Sequence, residues 1–234
     1  RVARAQQALL DAGLTERLNL FPQGATPSPL LWKILAILFT EKEAALVSRL
    51  PIKPFTVEKA AAVWQMTPAN AKKTLDRLAE RALLLDIEEE GKTSYVLPPP
   101  MAGFFEFSLM RVRSDIDQKA LSELFYQYLN VEEDFIKSLF TEGETQLGRA
   151  FVHEPALPQD NALHVLDYER ASEVIRTASH IGVGICYCRH KMEHVGRSCD
   201  APMEICMTLN HSAASLIRHG YARAQRDANH IRLK

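Results

Sequence analysis

All four cysteines of this 234-residue chain lie between positions 186 and 206. A secreted domain held together by disulfides spreads its cysteines so that they close long loops across the fold. Four clustered thiols in a chain with no other cysteine are instead typical of a metal or cluster site in a reducing compartment. The sequence therefore predicts one local site and a cytoplasmic location.

The spacing of these cysteines leaves the metal open. It reads C-x-C, then ten residues, C, then six residues and C, and four thiolates can hold either a tetrahedral zinc ion or a [4Fe–4S] cluster. Paired C-x-x-C turns, which usually supply structural zinc, are absent from the sequence, so the spacing modestly favours the cluster. Four structural thiols packed in a core are the third interpretation. The candidate ligands, for the metal or the cluster cofactor, are Cys186, Cys188, Cys199 and Cys206.

The backbone around the cysteines is predicted from neighbouring residues. The stretch IGVGICYC (181–188) is punctuated by glycine and strand-like, so the first two cysteines are expected on extended backbone. The third is expected in a loop after Gly196, and the fourth in a short helix that begins at Pro202. Backbone N–H groups near Gly182 and Gly184 are expected to donate hydrogen bonds to the sulfurs.

Residues 190–194 (HKMEH) also spell H-x-x-E-H, the motif of an inverted zinc protease. Such enzymes take a further carboxylate ligand from well downstream, and Gly196 is expected to end a helix here early. The acidic residues after the motif are only Asp200, Glu204 and Asp227. We therefore predict no catalytic residue. His190 and His194 are expected at the surface, with a single metal ligand from either one left open.

Basic side chains fill the interval between the second and third cysteines. Arg189, Lys191 and Arg197 lie there, in what is expected to be a loop. They either offset the negative charge of a thiolate-ligated cluster or form an ordinary solvated surface.

The first half of the chain predicts helices followed by a hairpin. Residues 1–20 form a helical arm with a break at Gly13, and 30–39 a buried helix. Thr40, with Glu43 as a capping box, begins a second helix, and further helices begin after Thr56 and at Thr67-Pro68. The turn Glu90-Gly91-Lys92 joins two strands. This order is that of a winged helix-turn-helix domain.

Later elements complete the predicted organisation. Helices are expected over 117–128 and 131–140, the second capped by Asn130, and short extended pieces within 148–168. Asp167 and Asn210 are predicted to cap two more helices. We thus predict an α+β, mostly helical protein. Its domains are a helical arm and winged-helix domain (1–98), a helical connector (99–147) and a small cysteine-ligated iron–sulfur domain (148–234).

Three stretches resemble a family of ferredoxin-like [4Fe–4S] proteins of anaerobes that have an N-terminal winged-helix segment. They are GFFEFSLMR (103–111), VLDYERASEVIRTASHIGVGICYCR (165–189) and CDAPMEICMTLN (199–210). The resemblance implies cytoplasmic electron transfer inside a larger redox assembly and carries the four cysteines over as cluster ligands. The chain differs from the family after residue 206, because it lacks the downstream ferredoxin-type cysteines.

Partners are predicted from charge and hydropathy. The net charge of -1 does not indicate a nucleic-acid or membrane partner, and no apolar run is long enough for a membrane span. DNA binding would use Lys72, Lys73, Arg77 and Arg81. Acidic residues oppose it, in the hairpin at Asp86, Glu88, Glu89 and Glu90, and on the helix at Asp76 and Glu80.

The favoured function is an electron carrier with a redox protein partner. A cluster-sensing transcription regulator and a structural-zinc docking module are the alternatives. The basic C-terminal stretch (Arg218, Arg223, Arg226, Arg232 and Lys234) could dock an acidic partner, and a homo-oligomer is left open.

Overall fold

The computed structural model describes residues 13–21, 24–141 and 168–225. Over these residues the protein is an α+β fold, mostly helical, with two small antiparallel sheets. The helices, after a helical segment at residues 13–18, are α1 (Pro29–Leu38), α2 (Glu41–Val47), α3 (Val57–Trp64), α4 (Pro68–Glu80), α5 (Gln118–Tyr126), α6 (Glu133–Thr141), α7 (Tyr168–Thr177), α8 (Tyr187–His194) and α9 (Asn210–Arg218). The strands are β1 (Leu85–Glu89), β2 (Lys92–Val96), β3 (Ile181–Gly184), β4 (Cys206–Leu209) and β5 (Arg223–Ala224). A short helix (Phe105–Phe107) follows a π-type turn (Pro100–Phe104), and a second π-type turn (Gln127–Val131) follows α5.

The first four of these helices begin at hydroxyl side chains that cap their free N–H groups. Ser28 accepts from the Leu31 N–H at the start of α1, and Thr56 and Thr67 do the same for α3 and α4. At α2 the predicted capping box of Thr40 and Glu43 is present in both directions. The predicted starts of α2, α3 and α4 are confirmed, whereas the Ser28 cap of α1 was not predicted.

The β1–β2 hairpin packs onto the helices through Tyr95. Its register runs from Leu85↔Val96 to Glu89↔Lys92, as the predicted turn requires, with Gly91 at a φ of 74°. Tyr95 is buried, pairs with Phe55 across an isolated bridge, and donates to Asp76 at 2.6 Å. The hairpin is therefore tied to α4.

The aromatic segment after residue 99 lies at the centre of the core. Phe104 and Phe105 are fully buried, and their rings meet edge to face at a centroid distance of 5.0 Å. Phe104 contacts Phe39 of the first half, and Phe105 contacts Phe125 of α5. These contacts join the N-terminal helices to the connector.

The second sheet has the strand order β4-β3-β5 and is covered by α9. Asp86 of the hairpin reaches this part of the chain. It accepts from Ser215 Oγ at 2.5 Å, and its Oδ2 lies 2.7 Å from Arg218 Nη1 and 3.1 Å from His219 Nε2. Burial alone raises the pKa of the Asp86 carboxyl, but these partners outweigh burial and place the pKa well below its usual range.

Two predicted helix caps are wrong. Helix α6 begins at Glu133, because Asn130 is part of the π-type turn that extends α5. Asn210 has a φ of 57°, and its Oδ1 accepts from the Ser179 N–H, so it connects α9 to the preceding turn and does not cap α9.

Other predictions fall outside the described residues: the arm before Gly13, Asp167 and the extended pieces within 148–168. Gly13 itself lies in the described helical segment at residues 13–18. Within the part of the chain that the structure covers, no helix has the length and apolar character needed to cross a membrane.

Candidate cysteine site

The cysteines lie at the junction of β3, α8 and β4. Cys186 is the N-cap residue of α8 and has an extended backbone, as predicted. Cys188 lies in the first turn of α8, so the prediction of extended backbone is wrong for Cys188. Cys206 is the first residue of β4 and pairs with Gly184 of β3, where a short helix had been expected. Cys199 lies in the exposed connection between α8 and β4, as predicted.

Backbone contacts bring the segments together. The Cys186 N–H donates to the Met203 carbonyl at 2.7 Å, and the pairing of β3 with β4 places Cys206 beside the start of α8. As a result the thiols of Cys186, Cys188 and Cys206 interact electrostatically with one another. All four cysteines are free thiols.

The remaining thiol, that of Cys199, is held by Arg189. Arg189 Nε donates to Cys199 Sγ at 3.2 Å, and the same guanidinium hydrogen-bonds Cys186. The pKa of Cys199 is lowered, chiefly by the Ala201 N–H and then by Arg189. Arg189 therefore links the exposed connection to the start of α8.

The thiols of Cys188 and Cys206 are less easily ionised. Burial raises the pKa of Cys188, and it raises the pKa of Cys206 to about 11. The charges of neighbouring thiols add to both effects. Tyr187 opposes both, with its side chain at Cys188 and with its backbone N–H, which donates to Cys206. The N–H donors to sulfur are thus Tyr187 and Ala201, whereas Gly182 and Gly184 pair within the sheet.

Two glycines allow β3 to lie close to the chain that follows α9. A Cβ on Gly184 would lie 2.4 Å from the Tyr221 carbonyl oxygen, and one on Gly182 would lie 3.0 Å from the Ala222 Cβ. The strand that leads into the site therefore needs these small residues so that β3 can pack against the chain after α9.

The basic residues lie on and just after α8, and two of the three contact the connector. Lys191 is buried, and its Nζ donates to Asn130 Oδ1 at 2.7 Å. Arg197 hydrogen-bonds the Tyr126 hydroxyl and stacks on its ring, with 5.3 Å from Cζ to the ring centroid. A solvated loop is therefore the wrong description of Lys191, whereas Arg197 is exposed in the loop after α8.

The two histidines lie one turn apart on α8, with ring centroids 5.0 Å apart. His190 is buried, contrary to the surface prediction, and its Nδ1 is 2.7 Å from the Leu109 carbonyl oxygen, to which it donates. Burial and then the charge of His190 lower the pKa of His194, whose Nε2 has no hydrogen-bond partner among the residues that the structure describes. In the described part of the chain neither ring hydrogen-bonds a cysteine, so the histidines form a separate pair.

One residue of the site's inner face was not predicted. Glu106 is almost fully buried and accepts from the Gly103 N–H at 3.0 Å, in the turn where Ala102 has a φ of 54°. Burial raises its pKa, and its charge influences Cys188 and Cys206. The available signal was its place in the GFFEF stretch (103–107), an acidic residue among aromatic ones.

Among the residues that the structure describes, no group of three or more His, Cys, Asp or Glu side chains is arranged to hold a single metal ion. No family model matches the chain, and neither a curated protein nor a solved structure matches it.

Proposed function

We propose that this is an iron–sulfur protein that binds one [4Fe–4S] cluster and exchanges electrons with a redox protein partner, within a larger cytoplasmic assembly. The proposed ligands are Cys186, Cys188, Cys199 and Cys206. The cluster would supply a one-electron centre, and the protein would supply thiolates, hydrogen bonds to sulfur and a surface for the partner. The similarity of three stretches to the ferredoxin-like family leads to the same proposal.

The observation that carries the proposal is the set of donors around the sulfurs. Cys199 accepts from Arg189 and from the Ala201 N–H, and Cys206 accepts from the Tyr187 N–H. Such donors stabilise thiolates and tune the potential of a thiolate-ligated cluster.

The cluster is preferred to zinc on the spacing of the cysteines. The sequence lacks the paired C-x-x-C turns that usually supply structural zinc. The resemblance of three stretches to the ferredoxin-like family adds to this preference, because it carries the four cysteines over as cluster ligands.

We propose further that the N-terminal half is a winged helix used for packing. Two of the four predicted DNA-contacting residues, Arg77 and Arg81, pair with buried Glu43 at 3.1 and 2.9 Å. Lys72 pairs with Asp76 of its own helix at 2.6 Å. Cations used in this way are less available to phosphate, on which non-specific DNA affinity depends.

The hairpin also favours packing over DNA binding. Its acidic residues face the C-terminal part, where Glu88 lies 3.2 Å from Arg218 and Glu89 lies 3.3 Å from His211. In a DNA-binding winged helix the wing would instead present positive charge to phosphate. A salt-dependent shift of duplex DNA by the purified protein would overturn this part of the proposal and favour the regulator.

The proposal is tested by anaerobic purification or reconstitution, followed by iron, sulfide and zinc assays and an absorption spectrum. We expect about four irons and four sulfides per chain and a broad absorbance near about 400 nm. Cys188→Ala should lose the cluster, because it removes one thiolate. Ser198→Ala, beside Cys199 but without a thiol to remove, is the matched control and should retain it.

Two results would contradict the proposal. One zinc per chain with no colour would favour the structural-zinc docking module. Full iron content in Cys188→Ala would show that the ligand assignment is wrong, even if a cluster is present.

A further inference from the structure

Lys191 is a buried cation on the helix that carries Cys188. It lies three residues after Cys188 on α8, about one turn along the helix, and only 5% of its surface is exposed. Its ammonium donates to Asn130 Oδ1 at 2.7 Å. Lysine is rarely buried so completely unless its charge has a partner.

The described residues give this ammonium no matching ion pair. Its hydrogen-bond partner, Asn130, is a neutral amide at an exposed position. Glu106 is the buried carboxylate whose charge influences Lys191. Its carboxylate accepts hydrogen bonds from the N–H groups of its own turn. A buried ammonium is destabilising unless nearby negative charge repays its desolvation.

The charged groups that influence Lys191 include a cysteine of the candidate site. Burial lowers its pKa, and the charges of Cys188 and Glu106 raise it. Thiols that are protonated provide no charge to offset the ammonium, whereas thiolates bound to a metal centre do so. The position of the lysine is thus explained by negative charge in the site.

We propose that Lys191 is a positioning residue whose buried charge makes the cysteine site selective for an anionic, thiolate-ligated centre and sets the reduction potential of that centre. This inference rests on the proposed cluster function and deepens it. A positive charge fixed near the ligands stabilises the more negative, reduced form, so it raises the potential. The same charge is a cost to the protein when no centre is bound.

The charge of Lys191 is thus expected to stabilise the loaded protein and to destabilise the metal-free protein. The variant Lys191→Met separates these two effects. This change removes the charge and keeps a flexible stem of similar volume. In the loaded protein we expect a more negative reduction potential and a loss of iron affinity of about 10- to 100-fold. In the metal-free protein we expect an unfolding midpoint equal to or above that of the unchanged chain. Asn130 is exposed, so its freed amide is solvated by water.

Two further variants complete the experiment. Lys191→Arg keeps the charge and should restore most of the iron affinity and the potential. Lys73→Met removes an exposed lysine of α4, distant in sequence from the cysteines, and should change neither quantity. The assays are potentiometry of the loaded protein, iron release to a chelator, and thermal unfolding of the metal-free protein.

The outcomes distinguish this inference from the proposed function. If the unchanged protein binds no iron–sulfur cluster, both are overturned. If it binds one, but Lys191→Met has the same potential and iron affinity, only the role of Lys191 is wrong. If Lys191→Met destabilises the metal-free protein as much as the loaded one, Lys191 has a packing role alone, which also overturns the inference.

Discussion

The Asp86 carboxylate joins the hairpin to α9, and its removal should destabilise the whole protein. Asp86 is 8% exposed and lies 2.7 Å from Arg218 and 3.1 Å from His219. Breaking a buried ion pair costs about 3–5 kcal/mol. The Arg218 side chain is 32% exposed and can be partly solvated, which reduces the expected cost of Asp86→Ala to about 2–3 kcal/mol.

Thermal and urea unfolding measure this cost. For a protein of this size we expect the midpoint temperature to fall by about 5–10 °C. Glu88→Ala is the matched control, because Glu88 lies on the same strand and contacts the same Arg218, but its side chain is 57% exposed. We expect it to cost no more than about 1 kcal/mol.

The pH dependence checks the physical cause. The pKa of Asp86 is lowered in the folded protein, so its contribution is complete above its unfolded pKa of about 3.9 and declines as the pH falls towards the folded pKa. The difference between the unchanged protein and Asp86→Ala should therefore be constant near neutrality and shrink below about pH 4. Equal losses in Asp86→Ala and Glu88→Ala, or a difference that does not depend on pH, would refute this reasoning.

The remaining predictions concern the helices and the strand beside the cysteines. Glu43→Gln should lower the free energy of unfolding by about 3 kcal/mol in urea titrations, because it leaves Arg81 without its buried carboxylate. Glu41→Gln, in the same turn but exposed, should stay within about 0.5 kcal/mol, and equal effects would argue against the ion pair. Gly184→Ala should cost about 2 kcal/mol or more and reduce iron content, because its Cβ would overlap the Tyr221 carbonyl. A stable Gly184→Ala protein with full iron content would show that this approach is not needed.

Features set by nearby residues were predictable from the sequence. The caps at Thr40, Thr56 and Thr67 depend on a hydroxyl and an N–H two or three residues apart, and all three form. The hairpin turn at Glu90-Gly91 needs only a residue that accepts a positive φ. Such interactions are complete within one turn of chain and require no knowledge of the rest of the fold.

Predictions failed where a distant element competes for the same group. Asn130 had the right type and position for a helix cap, but it accepts from Lys191, which lies on α8. Asn210 was expected to cap α9, but it accepts from Ser179. The helical conformation of residues 187–194 was missed because strand-like glycines precede it and its own hydrophobic pattern is weak.

By itself the sequence determined the donor chemistry of the candidate site: four thiols in one segment, with strand and turn signals around them. Only the tertiary structure decided what surrounds those thiols. It buried Lys191, Glu106 and His190, and it tied Asp86 to Arg218, which lies 132 residues later. Local sequence specifies which groups are available, whereas burial and charge pairing depend on which elements pack together, and that is settled by the whole chain.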